Sequence, residues 1–268
     1  MIEHLRPGAT AVNARVALFD FDGTISVIRS GWVDVMVPMM VEILEDLKTG
    51  ETTAELTEVV KEFVGRLTGK QTIYQMIELA ENVQRRGGVP LDPLQYKHRY
   101  LDLLWERIKG RVEDLRTGRA APEQYMVPGT IELLTALKER GIRLYLASGT
   151  DEVYMKEEAR LLGVDRYFDG GVYGALDDYK SFSKAILIQR IIQSSEAKGE
   201  EFLGFGDGYV EIENIKQVGG VAVGVASDEP ECLKIDEWKR NRLKGVGADY
   251  IVPNYLCHKE LLSSLFPS

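Results

Sequence analysis

Val16-Ala17-Leu18-Phe19-Asp20-Phe21-Asp22-Gly23-Thr24 is the stretch on which the fold turns. Its first half is a short, unbroken apolar run, the pattern of a strand buried on both faces. Its second half sets two carboxylates two residues apart and follows them with a glycine, which lets the backbone approach a ligand closely. The same apolar form recurs at residues 143–147, 202–205, 221–225 and 250–252. Between these runs lie amphipathic stretches at 130–140, 152–162, 183–194 and 212–218, the first, second and last of them followed by glycine, a common helix terminator. Strand and helix alternate, which predicts an α/β fold built on a doubly wound parallel sheet.

Residues 25–126 break the alternation. They carry long helical patterns at 32–47, 54–67, 73–84 and 93–115. Leu56, Val59, Val60, Phe63, Val64 and Leu67 keep the helical period, so the insertion is expected to be an α-helical bundle with a small core of its own. The predicted organisation is therefore an α/β core over 1–24 and 127–268, interrupted by a helical domain over 25–126.

Bulk properties narrow the function. The chain has 268 residues, 44% hydrophobic and 28% charged, with no apolar run long enough to span a bilayer. No membrane role is expected. The first fifteen residues lack the apolar segment of a secretory signal, so the expected location is cytoplasmic. Cys232 and Cys257 are too few for a disulfide framework and have no metal-type spacing. A formal charge of -9 repels a polyanionic backbone and argues against nucleic acid as a partner, while leaving room for a local cationic pocket. A small substrate is the expectation.

In open parallel sheets, ligands sit beyond the carboxyl ends of the strands. There the sequence delivers Asp20 and Asp22 after the first strand, Ser148-Gly149-Thr150 after the second, and Gly206-Asp207-Gly208-Tyr209-Val210-Glu211 after the third. Each cluster alone has an ordinary explanation as a turn or helix cap. Together they gather carboxylates whose mutual repulsion calls for a cation. A hard divalent ion with oxygen ligands answers it, and magnesium fits best because it needs few carboxylates and leaves positions for water and a phosphate oxygen.

These residues resemble the haloacid dehalogenase (HAD) superfamily of phosphotransferases. Asp20-Phe21-Asp22-Gly23-Thr24 is similar to its first motif, Ser148 to its hydroxyl motif, and Asp207 with Glu211 to its acidic motif. Pro128-Gly129, Leu137-Lys138-Glu139-Arg140-Gly141 and Gly247-Ala248-Asp249-Tyr250-Ile251 add to the likeness, which covers the whole chain and is strongest in the core. It implies a HAD-like Rossmannoid core, with residues 25–126 at the position of a C1-type helical cap. For the family's lysine, Asp178-Tyr179-Lys180-Ser181-Phe182-Ser183 resembles a Lys-Pro-x-Pro motif with serines for prolines, a register that selects Lys180. Lys184 competes, but it falls in the first turn of the next helix, where it reads as a solvated residue near an unfavourable dipole end.

The resemblance implies a magnesium-dependent phosphatase acting on a small phosphorylated metabolite. Asp20 would be the nucleophile and Asp22 the general acid and base. Ser148, Lys180 and the main-chain N–H groups around Gly23 and Gly149 would hold the phosphate. Asp20, the Asp22 carbonyl and Asp207 would hold the metal, with Glu211 behind them. Hinges are expected near 25–31 and 125–129. Within the cap, Lys70 in the Leu67-Thr68-Gly69-Lys70-Gln71-Thr72 turn and Arg29 are candidates for substrate selection, although this turn also fits a plain solvated connection. It is not a P-loop, because the glycine spacing is short and Gln71 stands where Ser or Thr is required. A phosphomutase of the same superfamily is the runner-up. A non-catalytic phosphorylatable receiver or a metabolite-binding domain fits less well, since neither needs Asp22. Oligomeric state is not written in these features.

Overall fold

The computed structural model describes residues 2–176 and 183–267. Seven strands, β1 (Glu3–His4), β2 (Val16–Phe19), β3 (Arg143–Asp151), β4 (Gly171–Ala175), β5 (Phe202–Gly206), β6 (Val221–Val225) and β7 (Tyr250–Val252), form one sheet in the order β1-β7-β6-β5-β2-β3-β4. Every pairing is parallel except that of β1 with β7. This is the predicted doubly wound α/β sheet, with an antiparallel edge strand added. Neither β1 nor β4 was legible as an apolar run: the first has two residues and the second is glycine-rich and half-buried at the sheet edge. Pairing with β4 also carries β3 on through Ser148 and Thr150 to Asp151, beyond the predicted strand, with an irregularity between Ala147 and Asp151.

The middle of the sheet is fixed by apolar contacts. All four residues of β2 are buried. Val16 and Leu18 pack into one core with Leu187, Ile188 and Ile191 of α7 (Lys184–Ser194) and with Val210, Ile212 and Ile215 of α8 (Tyr209–Gln217). Gly204 admits Ile215 here, because a Cβ on it would lie 2.6 Å from Ile215 Cγ1. On the other face Phe19 stacks on Phe205 at 4.3 Å between ring centroids, and Phe168 and Tyr255 meet this pair edge-on. Phe19 and Phe205 are also register partners. The stack therefore locks β2 and β5 at the point where each strand runs out into its acidic loop.

The chain divides into two compact units, residues 1–30 with 111–268, and residues 31–110. The second contains α1 (Val33–Glu45), α2 (Thr53–Leu67), α3 (Thr72–Arg85) and most of α4 (Pro93–Arg116). Thr52 and Glu55 form a capping box at the start of α2, and Arg86 grips Glu51 through two contacts of 2.7 Å. Leu56, Val60, Phe63, Val64 and Leu67 are buried as the periodicity predicts; Val59 is half-buried.

This helical unit is narrower than the expected insertion at 25–126, and the reason lies in hydrogen bonds. Val27 N–H donates to the Tyr125 carbonyl and Val127 N–H to the Ile25 carbonyl, both at 2.9 Å, and Arg111 donates to the carbonyls of Ile28 and Ser30. Residues 25–30 are thus fastened to Arg111 and to residues 125–127 within the first unit, and both 25–30 and 125–127 lie inside the stretches where hinges were expected. Among the described residues no helix is long and apolar enough to cross a membrane.

At the far edge, Asp249 ties three strands together. Its carboxylate accepts from Lys216 Nζ and from Ala222 N–H, each at 2.8 Å, while its carbonyl accepts from Leu5 and Arg6 N–H. Asp249→Ala should lower stability by about 3 kcal/mol, because it leaves a half-buried ammonium with the Gly220 carbonyl but no counter-charge, and a buried N–H unpaired. Urea unfolding measures this; a change within a few tenths of a kcal/mol would remove the role assigned to Asp249.

Candidate active site

Register and strand direction bring the acidic loops together. Phe19 pairs with Leu146 of β3 and with Phe205 of β5, so Asp20, Ser148 and Asp207 leave the same edge of the sheet. Asp20 is buried, its N–H bonded to the Phe205 carbonyl at 2.9 Å. Its Oδ1 accepts from Phe21 N–H at 2.6 Å and from Lys184 Nζ at 2.8 Å; Oδ2 carries neither contact. Lys184 also pairs with Glu211, which α8 places below it.

Burial raises the Asp20 pKa well above the ordinary carboxylate range, Glu211 repels it further, and Lys184 opposes both. Glu211 is raised by burial, with Lys184 again opposing. For Lys184, burial disfavours the charge but the two carboxylates outweigh it, and the ammonium is held above its usual pKa. Two acids share one ammonium here, so the trio favours a further positive charge.

Lys184 is buried, which corrects its reading as a solvated residue. A lysine in the first turn of a helix loses only about 0.3–1 kcal/mol to the helix dipole, whereas one ion pair at intermediate dielectric is worth about 4 kcal/mol at 4 Å. Ser183, whose hydroxyl accepts from Ile186 N–H, starts α7 at the right place for this contact. Lys180, the residue favoured by the motif register, lies outside the described residues.

The second aspartate of the motif faces the hydroxyl cluster. Asp22 Oδ2 accepts from Thr150 Oγ1 at 2.7 Å and from Ser148 Oγ at 3.3 Å, while Thr150 N–H donates to Ser148 Oγ. On the other side Arg29 Nε lies 4.0 Å from Asp22 Oδ1. Arg29 is itself engaged by Glu158 through Nε and Nη2, the latter at 2.6 Å, with its guanidinium 5.8 Å from the Tyr154 ring centre. Arg29, expected among the cap residues, thus belongs to the core unit, beside Asp22.

Gly23 makes room for the third arm. It adopts φ +70°, and a Cβ there would sit 2.3 Å from Asp207 Oδ2 and 2.9 Å from Glu229 Oε1. Its N–H donates to the Ser26 carbonyl at 2.8 Å, so Gly23 acts by absence of a side chain, and the phosphate contact expected from its N–H is already committed elsewhere. Thr24 Oγ1 accepts from Asp207 N–H at 2.9 Å, joining the first and third loops. Glu229 was not foreseen. Burial raises its pKa, and Asp207 and Asp22 add to the rise against the pull of Lys239.

Two ammonium groups, Lys184 and Lys239, and the Arg29 guanidinium thus meet six carboxylates, Asp20, Asp22, Glu158, Asp207, Glu211 and Glu229. An excess of carboxylate with oxygen donors only suits a hard divalent cation. Among the described residues no three His, Cys, Asp or Glu side chains converge as ligands. A cation here would complete its shell with a carbonyl and waters, which is the habit of magnesium.

In the helical unit Lys70 is exposed, its ammonium 5.6 Å from the Tyr74 ring centre, in the turn between α2 and α3. Beside it Gln71 is buried, and neither atom of its side-chain amide has a hydrogen-bond partner among the described residues. Gln71, Glu229, Lys239, Thr150 and Glu158 went unselected in the sequence. Thr150 and Gln71 carried a signal, as the neighbours of Ser148 and Lys70 in polar stretches.

A family model described as haloacid dehalogenase-like hydrolase matches residues 14–219. A 5'-nucleotidase of Pseudomonas aeruginosa is 31% identical over 121 residues, 45% of this chain and 54% of that protein, so the chain spans about half the length of this curated relative. Among solved structures, β-phosphoglucomutase from Clostridium difficile aligns with a TM-score of 0.60 at 14% identity, covering 94% of this chain and 97% of that one. A predicted phosphoglycolate phosphatase from Haemophilus somnus aligns with a TM-score of 0.58 at 14% identity, over 93% and 98%. At such identities these two likenesses concern the fold.

Lys184→Met should cost about 3–5 kcal/mol, since it leaves two buried carboxylates facing each other. Their folded pKa values, already raised in the wild type, then rise further above the unfolded ones, so stability is retained at low pH and lost as pH rises through the folded values. The deficit against wild type in metal-free buffer should be smaller at about pH 5 than at about pH 8. Adding Glu211→Gln should recover part of it. Denaturant unfolding at both pH values measures this, and a pH-independent deficit would contradict it.

Proposed function

The chain belongs to the haloacid dehalogenase-like hydrolase family, and we propose that it is a magnesium-dependent phosphomonoesterase that cleaves a small phosphorylated metabolite through an aspartyl phosphate at Asp20. The observation that carries this reading is the way Asp20 is held. A buried carboxylate at the end of a central strand is immobilised through Oδ1 by Phe21 N–H and Lys184, leaving Oδ2 for attack on phosphorus in line with the leaving group.

In this mechanism the bond from Asp20 to phosphorus forms as the bond from phosphorus to the leaving oxygen breaks. Asp22, oriented by Thr150, gives a proton to the departing alkoxide and then takes one from the water that hydrolyses the acyl phosphate. The Ser148 hydroxyl and Gly149 N–H donate to the phosphoryl oxygens, and Lys184 supplies positive charge beside them. The carboxylates of Asp20 and Asp207 and the Asp22 carbonyl would hold magnesium, whose charge would let an anionic nucleophile meet an anionic phosphate. Residues 31–110, with Lys70 and Gln71 in one turn, act as the cap that selects the leaving group.

A panel of phosphorylated metabolites, including nucleoside 5'-monophosphates because a relative is named a 5'-nucleotidase, should reveal one class hydrolysed with release of inorganic phosphate. EDTA should stop turnover and magnesium restore it. Asp20→Asn should lose at least about 10³-fold in kcat while unfolding like wild type, since the nucleophile is gone and the shape is kept. Activity that survives either EDTA or Asp20→Asn would overturn the mechanism.

Asp22→Asn should slow alkyl phosphates by about 10²- to 10⁴-fold and p-nitrophenyl phosphate much less in the first half-reaction, because a good leaving group needs no acid. Single-turnover kinetics with both substrates reads the difference. Equal losses for the two would remove Asp22 from the acid role.

A further inference from the structure

One cation at the site has no part in the chemistry above. Lys239 stands near the start of α9 (Glu237–Gly245), where Asp236 caps the helix by accepting from Lys239 N–H at 2.9 Å. With its backbone fixed by the cap, its ammonium reaches Asp207 Oδ2 at 3.0 Å and Glu229 Oε1 at 2.6 Å. The three side chains are 14%, 15% and 17% exposed, so the contact is screened far less than a surface pair. Glu229 arrives on the loop after β6, which Asp228 braces by accepting from Lys234 N–H through its carboxylate and from Cys232 N–H through its carbonyl. Both carboxylates close on the space left by Gly23.

We propose that Lys239 is the resident counter-ion of the metal site, a positioning residue that holds Asp207 and Glu229 together in the metal-free protein and competes with the divalent cation for Asp207. The inference rests on the reading of Asp207 as a magnesium ligand. Glu229 explains how the competition resolves. When the divalent cation takes Asp207, Lys239 keeps Glu229 and remains half of a neutral pair, so no lone charge is left buried. The arrangement keeps the site assembled without metal and lowers its affinity for metal, since every binding event works against a positive charge already in place.

The test is isothermal titration of the EDTA-stripped, dialysed full chain with magnesium chloride, which needs no turnover. Lys239→Met should bind magnesium at least about tenfold more tightly than wild type, because it removes a positive charge a few ångströms away whose repulsion Glu229 offsets only in part. It should also melt lower without metal and gain more from magnesium. Lys239→Arg should bind like wild type. A merely structural lysine would give weaker binding when removed, so unchanged or weaker affinity in folded Lys239→Met overturns the proposal. If Lys239→Met does not fold, the pair Lys239→Met with Glu229→Gln leaves no unpaired acid from the ion pair. It should bind more tightly than Glu229→Gln alone, and failure to do so overturns the proposal equally. Should wild type bind no magnesium, the metal reading of Asp207 falls together with this inference; should wild type bind and the variants match it, only the role of Lys239 falls.

Discussion

A carboxylate buried where a central strand ends has to be compensated, and most of what surrounds Asp20 follows from that requirement. Desolvation alone would neutralise the group by raising its pKa. The chain answers with Lys184 from the first turn of α7 and with the Phe21 N–H, both on one oxygen. Lys184 in turn requires Glu211, since an ammonium this deep is stable only among enough negative charge. None of these groups could be placed without the strands being fixed first. The Phe19 and Phe205 stack fixes them, turning apolar packing into a register that sets two acidic loops side by side.

The same rule is applied outward from Asp20. Glu158 is withdrawn from water and meets Arg29, Asp249 is withdrawn and meets Lys216, and Glu229 is withdrawn and meets Lys239. The last of these cations also touches a carboxylate assigned to metal binding, that of Asp207. The pairs differ in what they hold. Arg29 with Glu158 stands beside Asp22, whereas Lys216 with Asp249 sits at the far edge of the sheet and serves the strands alone.

The buried strands β2, β5, β6 and β7 and the helices of the insertion were legible in the sequence because apolar periodicity is a local signal. So was the gathering of Asp20, Asp22, Ser148 and Asp207 at one edge of the sheet, because each follows a readable apolar run. What was not legible depends on tertiary contact. Lys184 looked solvated because a helix-end penalty is visible along the chain, while the two carboxylates that outweigh it come from elsewhere in the sequence. Glu229 and Lys239 sit in a loop and a polar helix with no apolar pattern, and meet only because β6 and α9 pack together. Arg29 was assigned to the insertion because the point where an inserted unit leaves its host is set by hydrogen bonds across the gap, which no window of sequence displays.

Those bonds carry a consequence for the history of such a chain. Because residues 25–27 are stitched to 125–127, and Arg111 fastens the carbonyls of Ile28 and Ser30, the two ends of the helical segment start from a clasped doorway instead of from loose strands. The host closes its own loop, and the groups that hold Asp20 and Asp22, namely Phe21, Lys184, Ser148, Thr150 and Arg29, all belong to it. Residues 31–110 therefore enter and leave the host through a frame whose fastenings are the host's own.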